Sequence, residues 1–363
     1  MTRPFAVITT KLPPAICGIG AYSARLRKFW PNEQRAVQFL VVDDRMPAND
    51  LMTGDSVTNF HARPRELGRA LDELGDADVL LHYAGFAFHR FGFPFWMPRV
   101  LANWKQCQPG GRLMIFFHEV PGPLPWASHH FWLAKLNTRV VRQLADVADA
   151  FISNTRNHVD QLSRISQRND IALVPIGSNI ARIDELPARI ETEFVLFGMS
   201  FSRWPVLQSF NDKINEWIRS GRLTRLHLIG PDDDECGEAS RRLIALWDRP
   251  DVVIYHGMLA APEVSRLLLR ARFALTHVTA ETWSKASTFM ACAAHECAVV
   301  LRDRRPDFAP LSCGIGADEI SGIRADEIDR RTAALRTWYE ANADWPIAAR
   351  KLASLLDDAV VDR

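Results

Sequence analysis

No stretch of this sequence reaches the roughly 20 consecutive apolar residues that a membrane-spanning helix needs, so no spanning helix is expected. A secretory leader is not expected at the amino terminus either. Its first apolar stretch, residues 5–9, is too short for an h-region and no cleavage signature follows. The expected location is therefore cytoplasmic, with peripheral contact at the inner membrane face left open. Disulfide logic is absent too. The six cysteines are irregularly spaced and none forms a C-x-x-C pair, which reads as free thiols. Strong charge of one sign is missing, since 44 Lys and Arg against 43 Asp and Glu leave a net charge of +1. Nucleic acid is not the expected partner on that balance, although an average leaves room for a local basic patch. Metal signatures are weak. Cys292, His295 and Cys297 lie in an expected helix where their directions diverge, and no second ligand pair follows. Asp232-Asp233-Asp234 and Asp43-Asp44 suit turns and helix starts as well as a cation, so no metal is expected. A full dinucleotide fingerprint is missing as well, because Ser23 stands where the third glycine after Gly18 and Gly20 would be.

What is present is a soluble, globular composition, 47% hydrophobic and 24% charged, with enough chain for two domains. Short apolar, β-branched runs alternate with helical patterns. In the first half the strand candidates are 6–10, 37–42, 79–82, 113–118 and 150–153, separated by helical stretches 21–30, 64–74, 95–106, 132–147 and 156–165. After a short strand at 171–175 and a turn-rich segment, the series restarts with 194–197, 226–229, 252–255, 273–276 and 298–301. Helical stretches 205–219, 238–247, 262–270 and 285–295 divide them. Strand and helix in alternation predict parallel sheets covered on both faces. The fold class is α/β, two Rossmann-like doubly wound domains facing across a cleft. The expected domains are 1–176 and 190–342, with 343–363 a final helix returning to the first. The string Cys-Gly-Ile-Gly occurs at 17–20 and 313–316 without wider similarity and is taken as chance.

In open α/β sheets, ligands bind beyond the carboxyl ends of strands. That rule selects Gly18 and Gly20 after the first strand, where a backbone can approach a ligand closely, or where a tight turn alone is needed. It selects His82 and Tyr83, and His118 and Glu119, a polar pair after the apolar run Phe116-Phe117. Aromatics crowd 86–96, near His89 and Arg90, and suit a sugar or lipid acceptor or apolar helix packing. In the second half the rule selects Arg203, Gly230, His256 and Gly257, and the stretch from Glu281 to Thr288. Ser284 is an expected N-cap, with Lys285, Ser287 and free amides around a helix start that suits a diphosphate. Arg203 would add a second cation, or be a surface residue.

In order and spacing these residues resemble the large retaining glycosyltransferase family with the GT-B fold, usually called family 4. The matching segments are Cys17-Gly18-Ile19-Gly20-Ala21-Tyr22-Ser23, Phe117-His118-Glu119, Val174-Pro175-Ile176-Gly177-Ser178-Asn179-Ile180, Phe197-Gly198, His256-Gly257 with Pro262-Glu263-Val264, and Glu281 through Met290-Ala291 with Ala298-Val299-Val300. Two features depart from the pattern. Thr288 or Phe289 occupies the place of the second signature glutamate, and the usual Arg and Lys pair is reduced to Arg203.

The resemblance implies metal-independent transfer, with retention, from a UDP- or GDP-sugar to a glycan, lipid-linked or small-molecule acceptor, with no further cofactor. It implies donor contacts by Gly18, Gly20, Arg203, Gly230, His256, Gly257, Glu281, Ser284, Lys285, Ser287 and Thr288, and acceptor contacts by His82, Tyr83 and Glu119. His118, Glu281, Arg203 and Lys285 would carry the chemistry. Polysaccharide biosynthesis is the implied setting. Two other readings stay open: a catalytically silent nucleotide- or glycan-binding protein, and a nucleotide-sugar epimerase or oxidoreductase.

Overall fold

The computed structural model describes residues 3–15, 17–32, 35–42, 52–120, 130–302 and 304–358, with the side chains of 130–133 and 358 set aside. Asp43 and Asp44 lie outside the described residues. The chain divides into two compact units, residues 1–175 with 345–363, and residues 176–344.

The first unit runs β1 (Phe5–Thr9), α1 (Gly18–Lys28), β2 (Val37–Val41), β3 (Ser56–Asn59), α2 (Pro64–Leu74) and β4 (Asp78–Tyr83). It continues with α3 (Gly85–Phe88), α4 (Trp96–Cys107), β5 (Arg112–Phe117), α5 (His130–Val147), β6 (Ala150–Ser153), α6 (Arg156–Ser166) and β7 (Ala172–Leu173). The seven strands are all parallel, in the order β3-β2-β1-β4-β5-β6-β7. β1, β4 and β6 are buried along their whole length, which is why they read as unbroken apolar runs. β3 escapes such a reading because its four residues, Ser-Val-Thr-Asn, form a half-exposed edge with no apolar run.

The second unit runs β8 (Ile190–Phe197), α7 (Ser200–Arg219), β9 (Arg225–Ile229), α8 (Glu235–Ile244), β10 (Val253–Gly257), α9 (Ala261–Arg270) and β11 (Ala271–Leu275). Then follow α10 (Ser287–Ala294), β12 (Ala298–Leu301), β13 (Ile315–Gly316) and α11 (Ala325–Asn342). Its six parallel strands are ordered β10-β9-β8-β11-β12-β13. Phe194 and Phe273 stack at 4.7 Å in the centre of the sheet and Trp217 of α7 stacks on Phe194 at 5.4 Å. Each such ring buries well over 100 Å² and so dominates the core.

α12 (Trp345–Asp358) belongs to the first unit. Its anchor is a buried charge cluster. Asp78 is fully buried and accepts from Arg35 at 2.5 Å and from Arg112 at 2.5 and 2.6 Å, while Arg112 also donates to the Leu356 carbonyl. These bonds hold the Asp78 carboxyl below the usual range against the opposing effect of burial.

Two helix starts differ from expectation. α7 begins at Ser200, five residues before Pro205, so Arg203 sits on a first helical turn and not in a loop. A 3₁₀ turn, Trp283–Lys285, precedes α10, whose N-cap is Ala286 and not Ser284. The acidic triplet caps a helix. Asp234 accepts from the Gly237 amide at 2.8 Å at the start of α8, and Asp232 pairs with Arg241. His295 is fully buried between the Ser265 hydroxyl and the Ala291 carbonyl. Among the described residues no helix is long and apolar enough to cross a membrane, and no three His, Cys, Asp or Glu side chains gather where they could hold a metal ion.

Candidate functional site

In the second unit, three neighbouring strands end in glycine. Gly198 follows β8, Gly230 follows β9 and Gly257 closes β10, with φ of +139°, +122° and +63°. The Gly198 amide donates to Ile229 and the Gly230 amide to Gly257. A Cβ on Gly230 would lie 2.1 Å from the Gly198 carbonyl oxygen, so only glycine fits this interlocked step. The result is a floor without side chains at the carboxyl edge of the sheet.

Two helices start on that floor. A Cβ on Gly198 would lie 2.7 Å from Ser202 Oγ of α7 and 3.5 Å from Thr288 Cγ2 of α10, which brings both first turns to one point. Neither helix has a side-chain cap, whereas α6 is capped by Thr155 and α8 by Asp234. Uncapped N-termini leave amides and the positive ends of two dipoles available to an anion. The cavity here is about 670 Å³. Gly198, Gly230, Lys285, Ser287 and Thr288 line its polar part, and Met199, Met258, Leu259 and Val278 its apolar part. A charged pole beside an apolar wall suits a phosphate-bearing ligand with a flat ring.

Other sequence-predicted residues of this unit lie elsewhere. Arg203 does not line the cavity. It is 4% exposed and donates to the Pro231 carbonyl at 2.5 Å, near Asp232 and Asp234, so it braces the wall instead of presenting its fork. Burial lowers its proton affinity, which the two carboxylates oppose. Ser284 is buried, and its carbonyl accepts from Ile176. Glu281 is exposed outside the cavity lining and accepts from the Thr279 hydroxyl at 2.6 Å, which lowers its pKa. His256 pairs with the buried His227 at 2.9 Å, and His227 reaches Glu193 at 3.3 Å. His256 is thus turned toward its own sheet, while Gly257 supports the floor.

In the first unit the strand ends carry imidazoles. His82 and Tyr83 are consecutive on β4 and so point to opposite faces. Tyr83 enters the core, 1% exposed, with its hydroxyl 3.4 Å from Asn137, and cannot meet an acceptor. His82 is fully buried and cannot meet one either; its Nδ1 lies 2.9 Å from His118 Nε2. His118 is partly exposed at the end of β5 and Glu119 beyond it is exposed. Burial, and secondarily His158, push the His118 pKa down to about 3, and burial holds His82 well below its usual value. Both rings are neutral at pH 7. One proton occupies the bond between them, so the tautomer of each fixes that of the other.

Tyr22 of α1 completes this cluster; it stands in the matching segment 17–23 of the sequence, where nothing gave it a role. Its ring lies 5.5 Å from His82, 5.7 Å from His118 and 5.1 Å from Trp345. The Tyr22 hydroxyl and His82 Nε2 are buried without a hydrogen-bond partner among the described residues. Unpaired buried polar atoms cost stability, and here they mark polar capacity left unused by the fold. Gly18 opens α1 with none of the described residues within 4 Å of an added Cβ, whereas Gly20 is needed for packing, because a Cβ there would strike the Lys11 carbonyl.

No protein-family model and no curated protein sequence matches the chain. Solved structures do. The chain is similar to sucrose-phosphate synthase from Thermosynechococcus elongatus, with a TM-score of 0.71 at 15% identity over 100% of both chains. It is similar to HepE of Anabaena, solved with UDP and glucose, with a TM-score of 0.68 at 11% identity over 98% of this chain and 100% of that one. An alpha-glucosyltransferase solved with UDP and a 13-mer DNA matches at a TM-score of 0.66 and 11% identity, over 98% and 100%. The fold is therefore the GT-B fold that the sequence resemblance implied.

Proposed function

We propose that the chain is a glycosyltransferase that takes a sugar from a nucleoside-diphosphate sugar, UDP- or GDP-linked, without a metal and with retention at the anomeric carbon. The observation that carries this reading is the pairing of two uncapped helix starts with Lys285 over a glycine floor. Departure of a nucleoside diphosphate builds negative charge on the leaving group. Fixed amides, helix dipoles and the Lys285 ammonium are suited to stabilising that charge, and such preorganised groups supply the largest catalytic term in many enzymes. The apolar wall with Met258 and Leu259 would receive the nucleoside.

The first unit supplies the acceptor side. His118, neutral and held by His82, would contact the donor sugar or the attacking hydroxyl, with Glu119 beside it. The acceptor is a glycan, a lipid-linked molecule or a small molecule. Solved structures with UDP on the same fold support the donor class.

The test is a transfer assay with UDP- and GDP-sugars across an acceptor panel, run on the wild type and on Glu281→Ala. Transfer that falls at least tenfold, about 1.4 kcal/mol, in the variant supports Glu281 as a donor-orienting residue. One observation favours a second reading, a silent nucleotide-binding protein: Glu281 stands outside the cavity lining, tied to Thr279. Donor binding without transfer or hydrolysis would select it, and tight binding of NAD(H) would select a dinucleotide enzyme instead.

A further inference from the structure

The first unit carries its charge unevenly. Between Val79 and Ala145 seven Lys and Arg residues stand against one acid, Glu119, in a chain whose net charge is only +1. Lys105 and Arg112 of this stretch are neutralised by Asp149 and Asp78. Among the described residues Arg90, Arg99 and Arg139 pair with no carboxylate, nor does Arg65 on the facing helix α2. Arg90 instead lies 4.3 Å over the Phe91 ring.

The same stretch exposes phenyl rings. Phe86, in α3, and Phe91 and Phe95, in the loop between α3 and α4, are 69%, 46% and 42% exposed. They form one run. Phe86 lies 3.2 Å from where a Cβ on Gly92 would stand. Phe91 stacks on Phe93 at 5.9 Å, and Phe93 meets Phe95 at 5.5 Å. Phe95 and Trp96 open onto a groove of about 1240 Å³ formed by α2, α4 and α5, which Arg65, Arg99 and Arg139 also line. Asp72 and Asp146 lie in the groove as well, leaving its balance positive.

Exposed apolar surface of this density marks an interaction site. Its chemistry narrows the occupant. Unpaired arginines call for anions. Bare phenyl rings, with no hydroxyl or ring N–H, call for hydrocarbon. Along Gly85 to Phe95 only His89 and Arg90 have polar side chains, too few to read the hydroxyls of a sugar chain. An acidic bilayer offers both complements, acyl chains below and phosphates above. Long arginine side chains can cover apolar surface while their heads stay with the phosphates. We infer that this face docks on an anionic lipid surface, with Phe86, Phe91 and Phe95 entering the boundary between headgroups and acyl chains and Arg65, Arg99 and Arg139 engaging lipid phosphates. The inference does not depend on glycosyl transfer.

The test is flotation of the full chain with phosphatidylcholine vesicles and with mixed phosphatidylcholine–phosphatidylglycerol vesicles, at low and high salt. The expected result is binding to the mixed vesicles, weak binding to phosphatidylcholine alone, and a loss of roughly tenfold at high salt. The combined Phe86→Ser, Phe91→Ser and Phe95→Ser variant should lose about tenfold or more in affinity for the mixed vesicles. The Arg99→Glu, Arg139→Glu variant should lose the preference for phosphatidylglycerol. Both sets lie on the surface and should keep the wild-type thermal midpoint. Should a variant unfold, the lipid and salt dependence of the wild type still decides. Absence of wild-type flotation with mixed vesicles, or equal flotation with both kinds, overturns the inference. So does binding of soluble dextran sulfate that the variants lose while vesicle binding is absent, which would make the groove a glycan site. None of these outcomes alters nucleotide binding by the second unit.

Discussion

The two sheets finish their strands in opposite ways. In the second unit β8, β9 and β10 end in glycines with positive φ, and two helices begin there without caps. That edge is built of backbone. In the first unit His82 is the last but one residue of β4 and His118 lies just after β5, with the Tyr22 ring beside both and Trp345 against Tyr22. That edge carries side chains, of which His118 is partly exposed and His82, Tyr22 and Trp345 are buried. Backbone amides have fixed direction and no titration near neutrality, which suits the constant charge of a diphosphate. Imidazoles have two states and two tautomers, which suits a hydroxyl. Under the proposed function, the contrast would give diphosphate recognition to the second unit and hydroxyl contact to the first.

The largest expected break falls on the glycine floor. Gly230→Ala puts a Cβ at φ of +122° against the Gly198 carbonyl. It should cost about 3 kcal/mol or more in stability and abolish nucleotide binding, read by urea unfolding and by calorimetry. His118→Ala should lower turnover by about a hundredfold while nucleotide affinity stays as in the wild type. His82→Phe acts through His118, so it should lower kcat and leave KM for the donor unchanged. A fall in both alike would reduce His82 to a structural role.

Acid acts on both units through buried imidazoles, and His295 reports on the second. The His295 pKa is pushed down to about 4 by burial, so the folded state favours its neutral form. The unfolded chain takes up that proton below about pH 6.5, so stability falls as pH drops from there toward 4. At pH 5 the loss from this residue is about 2 kcal/mol, and His295→Gln should remove that part of the pH dependence of unfolding. The smallest effect belongs to Lys285→Ala. It should slow transfer by at least tenfold, about 1.4 kcal/mol, with an unchanged thermal midpoint, since this side chain serves the cavity and not the core.

Much of the fold was legible because buried parallel strands leave continuous apolar runs. β3 and β13 were not, because Ser56–Asn59 is a polar edge and Ile315–Gly316 has only two residues. The site was legible less evenly. Pro205 looked like a helix start, but α7 begins at Ser200 and carries Arg203 into burial. Ser284 looked like a cap, but it lies inside the 3₁₀ turn Trp283–Lys285, and Ala286 takes the cap place of α10. The pairing of His82 with Tyr83 as joint acceptor contacts conflicts with strand alternation, a physical rule readable in the sequence itself. Tyr22 and the convergence of two uncapped helices needed three dimensions, since no local pattern reports which helix starts share a point in space.

The central claim is that the second unit holds a nucleoside diphosphate at a backbone-built anion site. Titration calorimetry of the wild type and Lys285→Ala with UDP, GDP and NADH tests it most directly. The account predicts saturable binding of UDP or GDP, weakened in the variant, and none of NADH. No binding of either diphosphate, or equal affinity in wild type and variant, would contradict it.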